Sequence, residues 1–283
     1  MKKSIASRWW PERLRIAICP DRVVVARLRL DWRSRVFDKR VFECSAEPSS
    51  EHSWQAPLAV LGAVLDGIES SNTAVTIVLS SHFVRYAIVP WRDSIANRTE
   101  QAALARHCFK NIYGDVAATW DIRVSDSGFR RNAVASATDR QLVARLDQLF
   151  AEKKVTLSSM QPYFMTVCNR FQKELKTKKS GCLAVLEPGR VTLAIFDHKG
   201  WQALTVRRIS EVNAESLAPL LQQEINSANL AVAPEILFVV ALEAPKLDLT
   251  SRAWSAQALQ LRARRGFSPF EDARYAMAVC GAA

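Results

Sequence analysis

Two stretches of the chain, 168 residues apart, carry the same pattern. One is "IAICPDRVVVARLRL", from Ile16 to Leu30; the other is "AVLEPGRVTLAIFDHKG", from Ala184 to Gly200. Placing Pro20-Asp21-Arg22-Val23 on Pro188-Gly189-Arg190-Val191 sets the offset. Each copy reads as an apolar strand, a tight turn built on Pro and Arg, and a second apolar strand, which is the pattern of a hairpin. A duplicated unit constrains both halves of a chain at once, because each copy has to fold the same way.

The likeness continues past the hairpins. A third strand is expected at Lys39 to Ser45 in the first half and at Trp201 to Ile209 in the second. A helix follows in each. The first opens near Pro57 and puts Leu58, Leu61, Leu65 and Ile68 on one face. The second puts Leu217, Leu220, Leu221 and Ile225 on one face and contains Pro219, which requires the helix to start close by. Then come two wholly apolar runs, Ala74 to Ser80 and Glu235 to Leu242, suited to strands buried on both faces. Both halves therefore read β-β-β-α-β.

The first half also holds an insertion at about residues 82–158. The stretch from Ser80 to Asp115 begins as a strand, crosses Val89-Pro90-Trp91 and opens into a helix. Asn97 and Glu100 are placed to cap that helix, with Ala105, Cys108, Phe109 and Ile112 as its apolar stripe. Strands are expected at Ala118 to Asp126 and Arg130 to Ala137. A Thr138/Gln141 capping box then precedes a helix bearing Leu142, Leu146, Leu149 and Phe150. A linking helix, Pro162 to Lys176, leads into the basic tract ending at Lys179, read as the junction between halves.

Composition narrows the function classes. At 283 residues, 49% apolar and 24% charged, the chain has ample material for a core. No apolar run reaches the roughly 18 residues of a membrane span, and Met1 to Trp10 lacks the apolar segment of a secretory signal. The six cysteines form no CxxC and are read as reduced core residues of a cytoplasmic protein. His52, His82, His107 and His198 make no metal-ligand spacing, and no P-loop or nucleophile elbow is present. A formal charge of +11 favours acidic partners. Two alternatives follow from that charge: nucleic-acid binding through the arginine-rich Arg27 to Arg40 segment with Trp32, and a weak anionic-membrane contact through Trp9-Trp10 with Lys2, Lys3 and Arg8. No helix-turn-helix, RRM or KH signature accompanies the first, and no nucleic acid is expected as partner.

The segment "VTIVLSSHFVRYAIVPW", followed by a helix with Glu100, Ala103, Ala105 and Phe109 and then Tyr113-Gly114-Asp115, resembles the actin-like proteins of type IV pilus and type II secretion assembly, of the PilM kind and the GspL cytoplasmic-domain kind. The resemblance implies an α/β fold of duplicated actin-like (RNase H-like) β-β-β-α-β lobes with an inserted α+β subdomain in the first lobe. The first lobe would be residues 1–158 with 273–283, and the second 159–272. In that superfamily two hairpin turns, usually Asp-x-Gly, cradle the phosphates of Mg-ATP; the matching residues are Asp21, Arg22, Gly189 and Arg190. Both turns carry a proline, which offers no N–H to phosphate, and the first has no glycine. No acid ends the first strand, and the glycine-rich adenosine loop is reduced to Gly266 among arginines. The expectation is a scaffold with a decayed nucleotide site and no cofactor; an ATP-binding or ATP-hydrolysing assembly factor is the alternative. The resemblance further implies, as partners, a cytoplasmic segment of an inner-membrane assembly protein and a secretion or pilus ATPase. Phe83, Arg85, Tyr86 and Trp91 are the contact candidates, with a buried strand as the alternative reading for Phe83 and Tyr86.

Overall fold

The computed structural model describes residues 12–29, 35–45, 53–68, 74–95, 97–125, 128–210, 214–228, 234–244 and 255–281. Trp9, Trp10 and their basic neighbours, Trp32, His52 and Asp126 lie outside the described residues. In chain order the first half contains β1 (Glu12–Ile18), β2 (Arg22–Arg29), β3 (Arg35–Glu43), α1 (Gln55–Asp66) and β4 (Ala74–Leu79). Next come β5 (Val84–Val89), α2 (Arg98–Tyr113), a 3-10 turn at Gly114–Thr119, β6 (Trp120–Val124) and β7 (Ala133–Asp139). α3 (Arg140–Glu152), β8 (Thr156–Pro162), α4 (Tyr163–Arg170) and α5 (Gln172–Leu175) lead to the second half. That half contains β9 (Gly181–Glu187), β10 (Arg190–Asp197), β11 (Gly200–Arg208), α6 (Ala214–Ser227), β12 (Leu237–Val240) and β13 (Ala256–Ala258), and α7 (Ala276–Cys280) ends the described chain.

The duplication is visible in the sheets. One has strand order β3-β2-β1-β4-β8 and another β11-β10-β9-β12-β13; each is five strands in the sequence 3-2-1-4-5 of its own half. β1 runs antiparallel to β2, with Ile16 opposite Val25, and parallel to β4, with Ile16 beside Ile77. β9 does the same with β10 and β12. A parallel neighbour needs a crossover, which α1 and α6 supply. Even the irregularities repeat: the β2–β3 register shifts between Arg27 and Leu28, and the β10–β11 register shifts between Ile195 and Phe196, again 168 residues on.

The fifth strands, β8 and β13, extend the β-β-β-α-β expectation. Neither announces itself. β8 reads Thr-Leu-Ser-Ser-Met-Gln-Pro, with polar side chains on both faces, and becomes a strand by pairing in parallel with β4.

By contacts, the described parts of 1–80, 144–166 and 261–283 form one compact unit, and those of 81–143 and 167–260 form the other. The insertion's own sheet, β5-β7-β6, thus shares a unit with the second half's sheet. Asn132 beside β7 links them: its N–H donates to the Lys199 carbonyl at 3.0 Å and its Nδ2 to the Trp201 carbonyl at 3.0 Å.

The expected helical faces are buried. Leu58, Leu61 and Leu65 of α1, Leu142, Leu146 and Phe150 of α3, and Leu217 and Leu221 of α6 all face inward, each burial contributing about 2 kcal/mol. Four details differ from the sequence reading. Ile112 is exposed, and Tyr113 packs on Phe109 and Trp120 instead, since i+4 follows the helical period better than i+3 here. The α3 cap is Asp139, whose Oδ1 accepts the Gln141 N–H at 2.7 Å, while Thr138 belongs to β7. Pro219 lies in the second turn of α6 rather than at its start. The linking helix breaks at Phe171 into α4 and α5.

The first unit is closed by the chain's last segment. Every residue of α7 is buried. Arg15, on β1, donates from Nε to the Ala278 carbonyl at 2.8 Å and from Nη1 to the Gly281 carbonyl at 3.0 Å. A cation thus satisfies carbonyls at a helix C-terminus, while burial lowers its pKa from the ordinary arginine value. Replacing Arg15 by Met keeps the aliphatic bulk and removes both donors. The expected loss is about 3 kcal/mol of stability, read as a lower urea midpoint at unchanged slope.

Candidate functional site

The first hairpin turn is occupied by its own residues. The Cys19 N–H donates to the Arg22 carbonyl at 2.9 Å, and the Cys44 N–H to the Asp21 carbonyl at 2.7 Å. Pro20 has no N–H to offer. Arg22 is buried, and its Nη1 sits 2.6 Å from Asp21 Oδ2, so the turn's acid and base neutralise each other. Cys19 itself is a buried thiol, 3.7 Å from the Met277 sulfur of α7. The residue that matches Glu187 by position is thus a thiol hydrogen-bonded to α7 rather than an acid.

The second turn keeps more polar character. Gly189 has φ of +73°, the left-handed region that glycine enters freely. Glu187, 168 residues after Cys19, supplies the carboxylate that the first half lacks. That carboxylate is 3% exposed and accepts the Ser81 backbone N–H at both oxygens, 3.1 and 3.2 Å. Thr192 Oγ1 donates to Ser81 Oγ at 3.2 Å beside it. Glu187 thus fastens Ser81, at the entry to the insertion, to the second hairpin. Arg190 is half-buried. Burial lowers its pKa first, and the Arg85 and Arg208 guanidinium groups add to that, against the opposing pull of Glu187. A cationic corner survives here, made of Arg85, Arg190 and Arg208.

Gly266, the single glycine where an adenosine loop was sought, has a packing role. Its φ is +81°, and a Cβ there would stand 1.8 Å from the Val36 carbonyl oxygen. The Val36 N–H donates to the Arg265 carbonyl at 3.0 Å, and Lys39 Nζ donates to the Gly266 carbonyl at 3.1 Å. The glycine is required because the 264–267 turn lies against β3.

On the insertion, Phe83 and Tyr86 are buried, as the alternative for those two had it. Arg85 is half-buried and donates to the His82 and Val84 carbonyls at 3.2 Å. Trp91 keeps exposed surface. Its backbone N–H donates to Asn132 Oδ1 at 3.1 Å and its Nε1 to Asp93 Oδ1 at 3.2 Å. Asn97 caps α2 as expected, accepting the Glu100 N–H at 3.0 Å while its Nδ2 donates to Glu100 Oε1 at 2.8 Å. Ser81, Asn132 and Arg208 carry no local sequence signal; they matter through partners as much as 111 residues away. The arginine-rich hairpin is largely self-compensated, with Arg29 on Glu12 at 3.1 Å and both Arg27 and Arg40 near Asp38. Among the described residues no three His, Cys, Asp or Glu side chains gather to hold a metal ion.

If Glu187 is a clasp, Glu187→Ala leaves the Ser81 N–H buried without its acceptor. The expected loss is about 2–3 kcal/mol, with faster hydrogen exchange at Ser81; Glu187→Gln, which retains an acceptor oxygen, loses less. A variant as stable as the parent would show that the carboxylate is held for something other than the fold.

No family model and no curated protein matches the sequence. Solved structures do match. A chain of a PilM-PilN type IV pilus biogenesis complex is similar over 92% of this chain and 89% of its own, at TM-score 0.62 and 12% identity. A Bacteroides thetaiotaomicron protein with an actin-like ATPase fold matches over 85% of both chains, at TM-score 0.56 and 12% identity. The cytoplasmic domain of EpsL, an inner membrane component of the type II secretion system of Vibrio cholerae, matches over 88% of this chain and 90% of its own, at TM-score 0.55 and 11% identity. At such identities the likeness speaks for architecture, and it agrees with the two 3-2-1-4-5 sheets: the chain has the actin-like fold, duplicated and with one inserted subdomain.

Proposed function

We propose that this chain is an actin-like scaffold of a type IV pilus or type II secretion-type assembly platform, working in the cytoplasm at the inner membrane and without a functioning nucleotide site. The observation that carries the reading is that the acids of both turns, the arginine of the first and the glycine sought for the adenosine loop are engaged by the fold. Asp21 and Arg22 neutralise each other, Glu187 holds the Ser81 amide, and Gly266 is fixed under the Val36 carbonyl. The likeness to the PilM and EpsL chains supports the assembly context, and none of the described helices is long and apolar enough to cross a membrane.

The scaffold's partner is a cytoplasmic segment of an inner-membrane assembly protein, with a pilus or secretion ATPase as a further partner. Trp91 and Arg85 are the contact residues with available surface; Phe83 and Tyr86 serve by holding β5 in place. Trp91→Ala preserves the backbone bond to Asn132 and is expected to leave stability nearly unchanged while weakening co-purification with the membrane partner. Unchanged co-purification would remove Trp91 from the interface.

One observation favours a second reading, a nucleotide-binding assembly factor: the cationic corner of Arg85, Arg190 and Arg208 beside the Gly189 turn. Calorimetric titration of Mg-ATP separates the two. The scaffold reading expects no heat and no thermal stabilisation at millimolar nucleotide. Micromolar binding that is lost in Arg190→Ala would establish the second reading and assign the phosphates to Arg190.

A further inference from the structure

The junction of β5 and α2 forms a cavity of about 220 Å³ inside the second unit. Val89 and Ala133 make an apolar floor, Trp91 a wall, and Arg92, Arg98 and Arg131 line it with positive charge. No Asp or Glu is among its described lining residues. Neither Arg92 nor Arg98 forms an ion pair with any described residue, and both are exposed.

Arg98 is placed against the preference of its own helix. It is the first residue of α2, directly after the Asn97 cap. The helix macrodipole makes that end positive, so acids stabilise it and a cation destabilises it. The local rule is broken with no ion pair to compensate, and such violations gather at functional positions. Arg92 and Arg98 therefore carry positive charge that no described ion pair takes up, and Arg131 lines the same cavity.

The walls are also fixed in advance. Pro90 limits the backbone, Asn132 holds the Trp91 amide, and Asp93 holds the indole N–H. Asn132 is itself tied to β11 and to the turn before it. A preformed site loses less entropy when it is filled.

We propose that this groove binds an acidic peptide segment of a partner protein, with a Glu or Asp carboxylate between the arginines and an apolar side chain against Trp91 and Val89. Arginine pairs carboxylates through two parallel N–H bonds, which suits this rim. The aromatic geometry favours peptide over single-stranded nucleic acid. Trp91 and Phe129 meet edge to face, at 69° and 5.2 Å, and Arg130 lies over the Phe129 ring, so no open pair of parallel faces awaits a base. The inference deepens the partner-binding reading above by naming the chemistry bound. Its test uses the purified chain alone, so the groove can stand if the assembly role fails, and the reverse.

The experiment is fluorescence anisotropy of the full chain with a labelled peptide of alternating glutamate and leucine, a matched glutamine–leucine peptide, and labelled oligothymidylate. Expected is salt-dependent binding of the glutamate peptide only, weakened at least about tenfold in R92E/R98E. The same variant should melt at the parent temperature or about 1–3 °C higher, because R98E puts an acid at the helix N-terminus. A structural role for these arginines predicts the opposite shift in melting. R98Q, which removes charge without reversing it, should show an intermediate affinity. Equal binding of both peptides, no binding at low salt, affinity unchanged in R92E/R98E, or oligothymidylate binding more tightly through the same arginines would each overturn the proposal.

Discussion

A strand that pairs antiparallel on one side and parallel on the other leaves its neighbours little freedom. β1 and β9 are such strands, and they occupy the middle of their sheets. The antiparallel partner can follow through a tight turn, which fixes β2 and β10. The parallel partner must arrive by a crossover, which fixes α1 and α6 as covering helices. Burial on both faces then demands the apolar runs that β4, β9 and β12 show. The shared register shift after Arg27 and after Ile195 shows one pattern meeting the same pairing problem twice.

The hairpin turns stand where this constraint meets chemistry. In a nucleotide-dependent relative of such a fold the turns would leave backbone amides and an acid open to a ligand. Here Asp21 of the first turn pairs with Arg22, and Glu187 of the second accepts a backbone amide. Only the Arg190 side of the second turn retains charge that the fold does not fully absorb. The inserted subdomain shows the reverse tendency. Its core is closed by Phe109, Tyr113 and Trp120, while its outer rim carries arginines and an accessible indole.

The architecture was legible because its information is periodic. Alternation and apolar runs marked four strands per half, and heptad-like spacing marked α1, α2 and α3. The fifth strands were invisible because their reason to exist is a neighbouring strand: Thr156–Pro162 has no pattern of its own and gains order from β4. The candidate sites were half legible. Pro, Gly and Arg in the turns could be read directly, and so could the Asn97–Glu100 cap. The link from Glu187 to Ser81, and the role of Asn132, connect residues far apart in sequence, where no local pattern can report them. Phe83 and Tyr86 illustrate the remaining ambiguity: an aromatic on a strand suits a core and an interface equally until its neighbours are known.

The turn at 264–267 has a consequence for assembly. β3 ends its sheet, and an outer strand with open N–H and C=O groups invites a second chain to extend the sheet. The Arg265 carbonyl takes the Val36 amide, Gly266 lets the backbone come close enough to do so, and the Lys39 ammonium covers the next stretch. Part of that border is thereby sealed with the chain's own backbone and with Lys39, which also pairs with Asp272. Any oligomer of this protein then has to form through side-chain surfaces there, because sheet-to-sheet continuation along that part of β3 is closed.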